Sequence, residues 1–262
     1  SLTALLPLRA ALVGGLMTLV ALVLVQGAQD LGEQVAKNAA LFSTWLFSLA
    51  IMQLLVRQTD ELADLALKAS GLATSTGFSS WPYPSEAAAE TAGHHCQRMA
   101  PAGFSTIQRV RGVPCLLADP LRTTAAKAFW QHTGLGASSR LAAIALGREA
   151  SPDAEIAKAA LSTVIQRLAG IYGCAEDAIS LHPSGMAALH QALQRIASLH
   201  PGRPVLQIGF PYVDVLKLPQ VVFSGAELLL DDSPAQVRAA LDRLQPGAIV
   251  VELPSNPLLR CV

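Results

Sequence analysis

Between Ser151 and Glu252 the chain alternates segments of helical period with short apolar runs, and this alternation constrains the fold more than any other feature. Ser151-Pro152-Asp153 supplies an N-cap, a proline at the first helical position and an acid in the first turn. Ile156, Ala160, Leu161, Val164 and Leu168 then recur at helical spacing, and the helix closes around Gly170 or Gly173. Residues 178–181 read as a short strand, followed by a Ser184-Gly185 turn and a helix to about Ser198, which His200-Pro201-Gly202 ends. Residues 205–209 and 221–223 read as buried strands. Ser233-Pro234 caps a helix reaching Leu244, and residues 248–252 form a third strand, bounded by Pro246-Gly247 and Pro254. Strands and helices alternating at these lengths predict an α/β fold built of βαβ units around a mostly parallel sheet. Ligands in such folds sit beyond the carboxyl ends of the strands, which is where 209–212 and 252–256 fall.

A chain of 262 residues makes one large domain or two small ones. Hydrophobic residues make up 52% and charged ones only 15%, so the chain holds either a membrane segment or a very apolar core. Nineteen basic side chains balance nineteen acidic ones, which removes the electrostatic attraction that dominates non-specific nucleic-acid binding. Cys96, Cys115, Cys174 and Cys261 form no CxxC pair, which fits free thiols in a reducing compartment. His94-His95-Cys96 offers zinc-type ligands, but without a second close pair it reads as a polar helix end and no metal is expected.

Composition divides the chain near residue 80. Residues 10–26 and 39–56 are almost wholly apolar, each approaching the roughly 20 residues that cross a bilayer core. Arg9 precedes the first run and Arg57 follows the second, an arrangement that favours a membrane hairpin with both ends in the cytoplasm. Buried core helices, or a secretory signal at the first run, are the competing readings. Asp60 to Lys68 has an amphipathic helical period ending near Gly71, and residues 75–85 collect Ser, Gly, Pro and Thr as a linker would. The resulting division is 1–80 as a hydrophobic helical segment with linker, 81–150 as an extension, and 151–262 as an α/β domain.

The chemistry concentrates at two strand ends. A small-residue turn entering a helix at Ser184-Gly185-Met186 aims free backbone N–H groups and the positive helix end at one point, which suits a phosphate; a turn of this kind also serves simple helix–strand packing. Taken with Pro211-Tyr212, Gly225-Ala226-Glu227 and Glu252-x-Pro254-Ser255-Asn256-Pro257-Leu258-Leu259, in this order and spacing, the turn resembles the Cys/Met-metabolism family of pyridoxal-phosphate enzymes of fold type I. Upstream, the run from Phe129-Trp130-Gln131-His132-Thr133-Gly134 to Arg140-Leu141-Ala142 is similar to the divergent cystathionine gamma-synthase-like branch. The resemblance covers roughly residues 95 to 262.

That resemblance implies pyridoxal 5'-phosphate as cofactor, small amino-acid substrates and a homo-oligomer. It gives Gly185 and Met186 the cofactor phosphate, held by their backbone amides. It gives Tyr212 a stacking position on the pyridine ring and a part in proton transfer. Asn256 would hydrogen-bond near the phenolic oxygen or the substrate carboxylate, and Arg140 would reach the phosphate of a neighbouring subunit. Relatives often carry a tyrosine two residues before that arginine, where this chain has Ser138. Relatives also place an aspartate and then the Schiff-base lysine after the Asn-Pro motif, beyond the 262 residues, so the expectation is an enzyme truncated before its lysine and inactive as given. The expected parent reaction is gamma-replacement on an activated homoserine ester by cysteine, with a related lyase reaction as runner-up and a cytoplasmic location for 81–262. The contrasting reading is a non-catalytic, membrane-associated module that retains half of the cofactor domain.

Overall fold

A computed structural model describes residues 56–72, 77–223 and 225–254. The chain divides into units at residues 1–58 and 59–262, and of the first only 56–58 are described. The apolar runs at 10–26 and 39–56 therefore lie almost entirely outside the described residues. Among those described, no helix is long and apolar enough to cross a membrane.

Helix α1 covers residues 56–70 and is followed by Gly71. Strand β1 (Ser79–Pro82), helix α2 (Glu86–Met99), and strands β2 (Ser105–Val110) and β3 (Val113–Ala118) come next. The strands form an antiparallel sheet in the order β1-β3-β2. Arg111 and Gly112, both at positive φ, make the two-residue turn between β2 and β3 that matches the twist of a hairpin. All six residues of β3 are buried. This layer was not anticipated from composition: the Ser- and Pro-rich stretch that reads as a linker contains β1, and Tyr83 just beyond it is fully buried.

Helix α3 (Pro120–Thr133) has Asp119 as N-cap, its carboxylate accepting from the Arg122 amide, with Pro120 in the first turn. It buries Ala126, Phe129, His132 and Thr133, and Phe129 lies in the main core with Tyr83, Cys96, Leu116, Leu193 and Leu218. The core thus runs from the antiparallel sheet through α3 into the second half of the unit. Helix α4 (Ser139–Ala145) follows, capped by Ser138.

Helix α5 (Ala154–Tyr172) starts one cap later than its sequence suggests. Asp153, not Ser151, accepts from the amides of Glu155 and Ile156, which leaves Pro152 outside the helix; Gly173 ends it. The strand expected at 178–181 is absent, because Glu176–Ala178 closes into a 3₁₀ turn and the residues after it meet no partner strand. Helix α6 (Gly185–Leu199) and strand β4 (Val205–Ile208) fall as expected.

The strand expected at 221–223 is a correction. Helix α7 runs over Val213–Val222, and the strand, β5, lies downstream at Ala226–Leu229. Val215, Leu218 and Pro219 are buried at helical spacing, so packing overrides the β-branched pair at the helix end. Helix α8 (Pro234–Leu244) and strand β6 (Ala248–Val251) complete a parallel sheet in the order β5-β4-β6. The fold is α/β as expected, but of the two sheets among the described residues only one is parallel.

A proline inside α7 explains a buried polar residue in β4. Pro219 has no N–H, so the carbonyl four residues earlier, at Val215, loses its helical donor. Gln207, fully buried at the centre of the sheet, donates Nε2–H to that carbonyl at 2.8 Å. The strand thereby fixes the helix whose first turn carries Tyr212 and Asp214.

Candidate functional site

The N-terminus of α6 is built by three contacts. Ser184 is its N-cap: Oγ accepts from the Ala187 amide at 3.1 Å and donates to the Gly134 carbonyl at 3.4 Å, while the Ser184 carbonyl accepts from the Ala188 amide. Gly134 ends α3 with φ +65°, and a Cβ there would lie 2.5 Å from Ser184 Oγ and 2.9 Å from the Ala187 nitrogen. Only glycine lets the end of α3 approach this closely. With Ala187 and Ala188 satisfied, the N–H groups of Gly185 and Met186 have no acceptor among the described residues. Gly185 is exposed, and a Cβ added to it would meet nothing within 4 Å. Two unpartnered donors at a helix end, with open space before them, fit a phosphate.

The second cluster forms at the carboxyl ends of β4 and β6. Tyr212, 41% exposed, is the N-cap residue of α7, and its backbone N–H donates to Glu252 Oε2 at 2.8 Å. Glu252 follows β6 directly, so this bond ties the ends of neighbouring parallel strands together. The Asp214 carboxylate faces the Tyr212 phenol and raises its pKa above the ordinary value for tyrosine. The other side of that carboxylate is held by the buried His132, with Nδ1 2.7 Å from Asp214 Oδ1. The last turn of α3 therefore touches both clusters, through Gly134 at α6 and through His132 at α7.

The remaining candidates are spread more widely. Arg140 is exposed in the first turn of α4, and Ser138, which stands where relatives often carry tyrosine, caps that helix through the Leu141 amide. Asn256 lies outside the described residues. Glu227, part of the motif, is ion-paired with Arg243. In His94-His95-Cys96, His94 is exposed while His95 and Cys96 are buried; burial first, with the charge of Arg98, pushes His95 down to about 4, and burial pushes the Cys96 thiol up to about 11. Among the described residues, no group of three His, Cys, Asp or Glu could hold a metal ion. Sequence reasoning gave no role to His132, Asp214, Glu252 or Gln207. His132 and Glu252 stand inside quoted motifs, but their partners are fixed only by the packing of α3 and β6 against α7.

An L-2-amino-4-chloropent-4-enoate dechlorinase/desaturase from Streptantibioticus cattleyicolor is 34% identical over 193 residues, covering 67% of this chain and 37% of the relative. A cystathionine gamma-synthase from Neurospora crassa is 37% identical over 102 residues, covering 35% of this chain and 16% of the relative. The chain is related to the cystathionine gamma-synthase-like enzymes. A cystathionine gamma-synthase-like enzyme from Amanita muscaria extends the match, at 26% identity over 247 residues, to 63% of this chain and 39% of that protein. The chain thus spans well under half the length of the curated relatives it matches. No family model matches it, and no solved structure matches it significantly. The unpartnered amides fall at Gly185 and Met186, the residues that the resemblance assigns to a cofactor phosphate. The donor set present fits that group.

Proposed function

We propose that the protein is a pyridoxal-phosphate-dependent enzyme of the transsulfuration type, acting on small amino-acid substrates in the cytoplasm and assembling as a homo-oligomer. The reaction we favour is gamma-replacement, in which an activated homoserine ester loses its acyl group and cysteine adds to give cystathionine. A related lyase reaction is the second reading, favoured by the 34% identity to a dechlorinase/desaturase. The observation that carries the proposal is the pair of free amides at the α6 N-terminus, at the two residues the resemblance singles out.

Each residue has a defined task in this reading. Gly185 and Met186 hold the phosphate through N–H donors backed by the helix dipole. Tyr212 stacks against the cofactor ring, and the Asp214 carboxylate beside its phenol raises the pKa of that group. Asn256 hydrogen-bonds near the phenolic oxygen of the cofactor or the substrate carboxylate. Arg140, exposed in this chain, reaches the phosphate of a neighbouring subunit, as a planar guanidinium suits. When bound, the cofactor supplies the electron sink for chemistry at the substrate carbons.

Equilibrium binding of pyridoxal phosphate, compared with pyridoxal lacking the phosphate, tests the assignment. The chain should prefer the phosphorylated form, and Gly185→Val, which meets open space in the fold but blocks the cradle, should weaken that form about tenfold, roughly 1.4 kcal/mol. Equal affinity for the two compounds would contradict the proposal.

A further inference from the structure

The contact between His132 and Asp214 joins residues 82 positions apart, and none of the sequence motifs assigns it a task. Both side chains are largely withdrawn from water, at 7% and 18% exposed, and the 2.7 Å separation between Nδ1 and Oδ1 is that of a charge-assisted hydrogen bond. A polar pair in such a place costs desolvation, which an apolar pair of the same shape would avoid. Its position is what distinguishes it. His132 stands in the last turn of α3, two residues before Gly134, which seats Ser184 and the α6 N-terminus; Asp214 stands in the first turn of α7, two residues after Tyr212. The backbone of Tyr212 is already fixed by Glu252, so the side chain is the part left to be placed.

The geometry points to His132 as a positioning residue for Tyr212: it holds the Asp214 carboxylate against the Tyr212 phenol, so that one turn of α3 sets both the phosphate cradle and the ring-stacking side chain. His132 does not itself meet substrate or cofactor. Freed from His132, the Asp214 carboxylate turns toward water and leaves the phenol. The functional meaning of this clamp rests on the stacking role proposed for Tyr212, whereas the clamp itself can be measured without cofactor.

The test is a spectrophotometric titration of tyrosinate in the cofactor-free chain. The protein has three tyrosines. Tyr172 is 72% exposed and can be removed as Tyr172→Phe, while burial holds Tyr83 well above the ordinary tyrosine range, so Tyr212 is read by itself. In this background Tyr212 should titrate above an ordinary phenol. His132→Phe and Asp214→Asn should each move it down toward the ordinary value. His132→Asn, whose amide nitrogen replaces Nδ1, should keep the unsubstituted behaviour. An unmoved titration in His132→Phe, or an equal shift in His132→Phe and His132→Asn, would overturn the inference. Should circular dichroism find His132→Phe unfolded, His132→Gln takes its place: its amide reaches the Nε2 position instead, so it should shift the titration where His132→Asn does not, and equal behaviour of the two would overturn the inference. Failure of the cofactor reading would appear separately, as equal affinity for pyridoxal phosphate and pyridoxal with the titrations unchanged.

Discussion

The two sheets share a plan, a fully buried central strand between two edge strands, and differ in what the edges offer to water. Beside β3, strand β2 exposes Thr106 and Arg109, polar side chains suited to solvent. Beside β4, the parallel edges expose Leu228, Ile249 and Val251. The register explains the second case: Ile249 and Val251 lie level with Leu206 and Ile208, and α8 packs Ala240, Val237 and Leu241 over Leu206, Ile208 and Leu229 without burying the β6 pair. Parallel strands are apolar on both faces because both are normally covered. The antiparallel edges therefore meet water with polar side chains, whereas the parallel edges leave apolar ones uncovered beside the strand ends of the candidate site.

Side-chain truncation gives the strongest way to break that comparison. Phe129→Ala, at the junction of the antiparallel layer with α6 and α7, should cost about 3–5 kcal/mol in denaturant unfolding, and Ile249→Ala only about 0.5 kcal/mol or less. Comparable losses would mean that the β6 edge is as tightly packed as the core. At the joint between the regions, Gly134→Ala combines a left-handed backbone with a Cβ driven against Ser184 and Ala187, and should cost on the order of 2–3 kcal/mol. Gly185→Ala, one residue past the same Ser184, should leave stability nearly unchanged, because its Cβ is unopposed.

A smaller effect sharpens the picture of how the parallel sheet fixes α7. Gln207→Leu leaves the Val215 carbonyl without a donor and should cost about 1–3 kcal/mol. Adding Pro219→Ala restores a helical N–H to that carbonyl and should recover much of the loss; a double-mutant cycle with no coupling would refute the pairing of Gln207 with Pro219.

Acidification should also act on the core around α3, through two buried imidazoles. His95 and His190 flank Phe129, and burial pushes both down to about 4 from an ordinary 6.5. In the unfolded chain each takes up a proton as the pH falls below about 6.5, while the folded chain resists until about 4. The stability these neutral imidazoles contribute is complete above the unfolded value and lost through that window. Urea midpoints measured at pH 7 and pH 5 should fall on acidification, and replacing both histidines with asparagine should flatten the change.

How far the sequence carried this reading depends on whether the signal was local. The capping residue before α6, the proline that opens α8, the β4 and β6 runs and the turn at Gly185 are all statements about neighbours in the chain, and they are legible in it, although Ser233 makes no side-chain cap. The antiparallel layer was hidden because β1 is four residues long and begins with two serines. Val221-Val222 has the β propensity of a strand, and only the packing of α7, which buries Val215, Leu218 and Pro219, makes it the end of a helix. The same limit applies to the site: motifs name Gly185, Met186 and Tyr212 as candidates, whereas the connections His132–Asp214 and Glu252–Tyr212 span 82 and 40 residues and exist only once the fold has formed.

The central claim, that the parallel half of the unit carries a phosphate cradle at the α6 N-terminus, can be read directly from backbone amide shifts in a ¹H–¹⁵N spectrum during titration with pyridoxal phosphate. The amides of Gly185 and Met186 should move most and together, with Tyr212 following at the same concentrations, while pyridoxal leaves the first two in place. Shifts confined to other residues, with Gly185 and Met186 unmoved at saturation, would contradict the account.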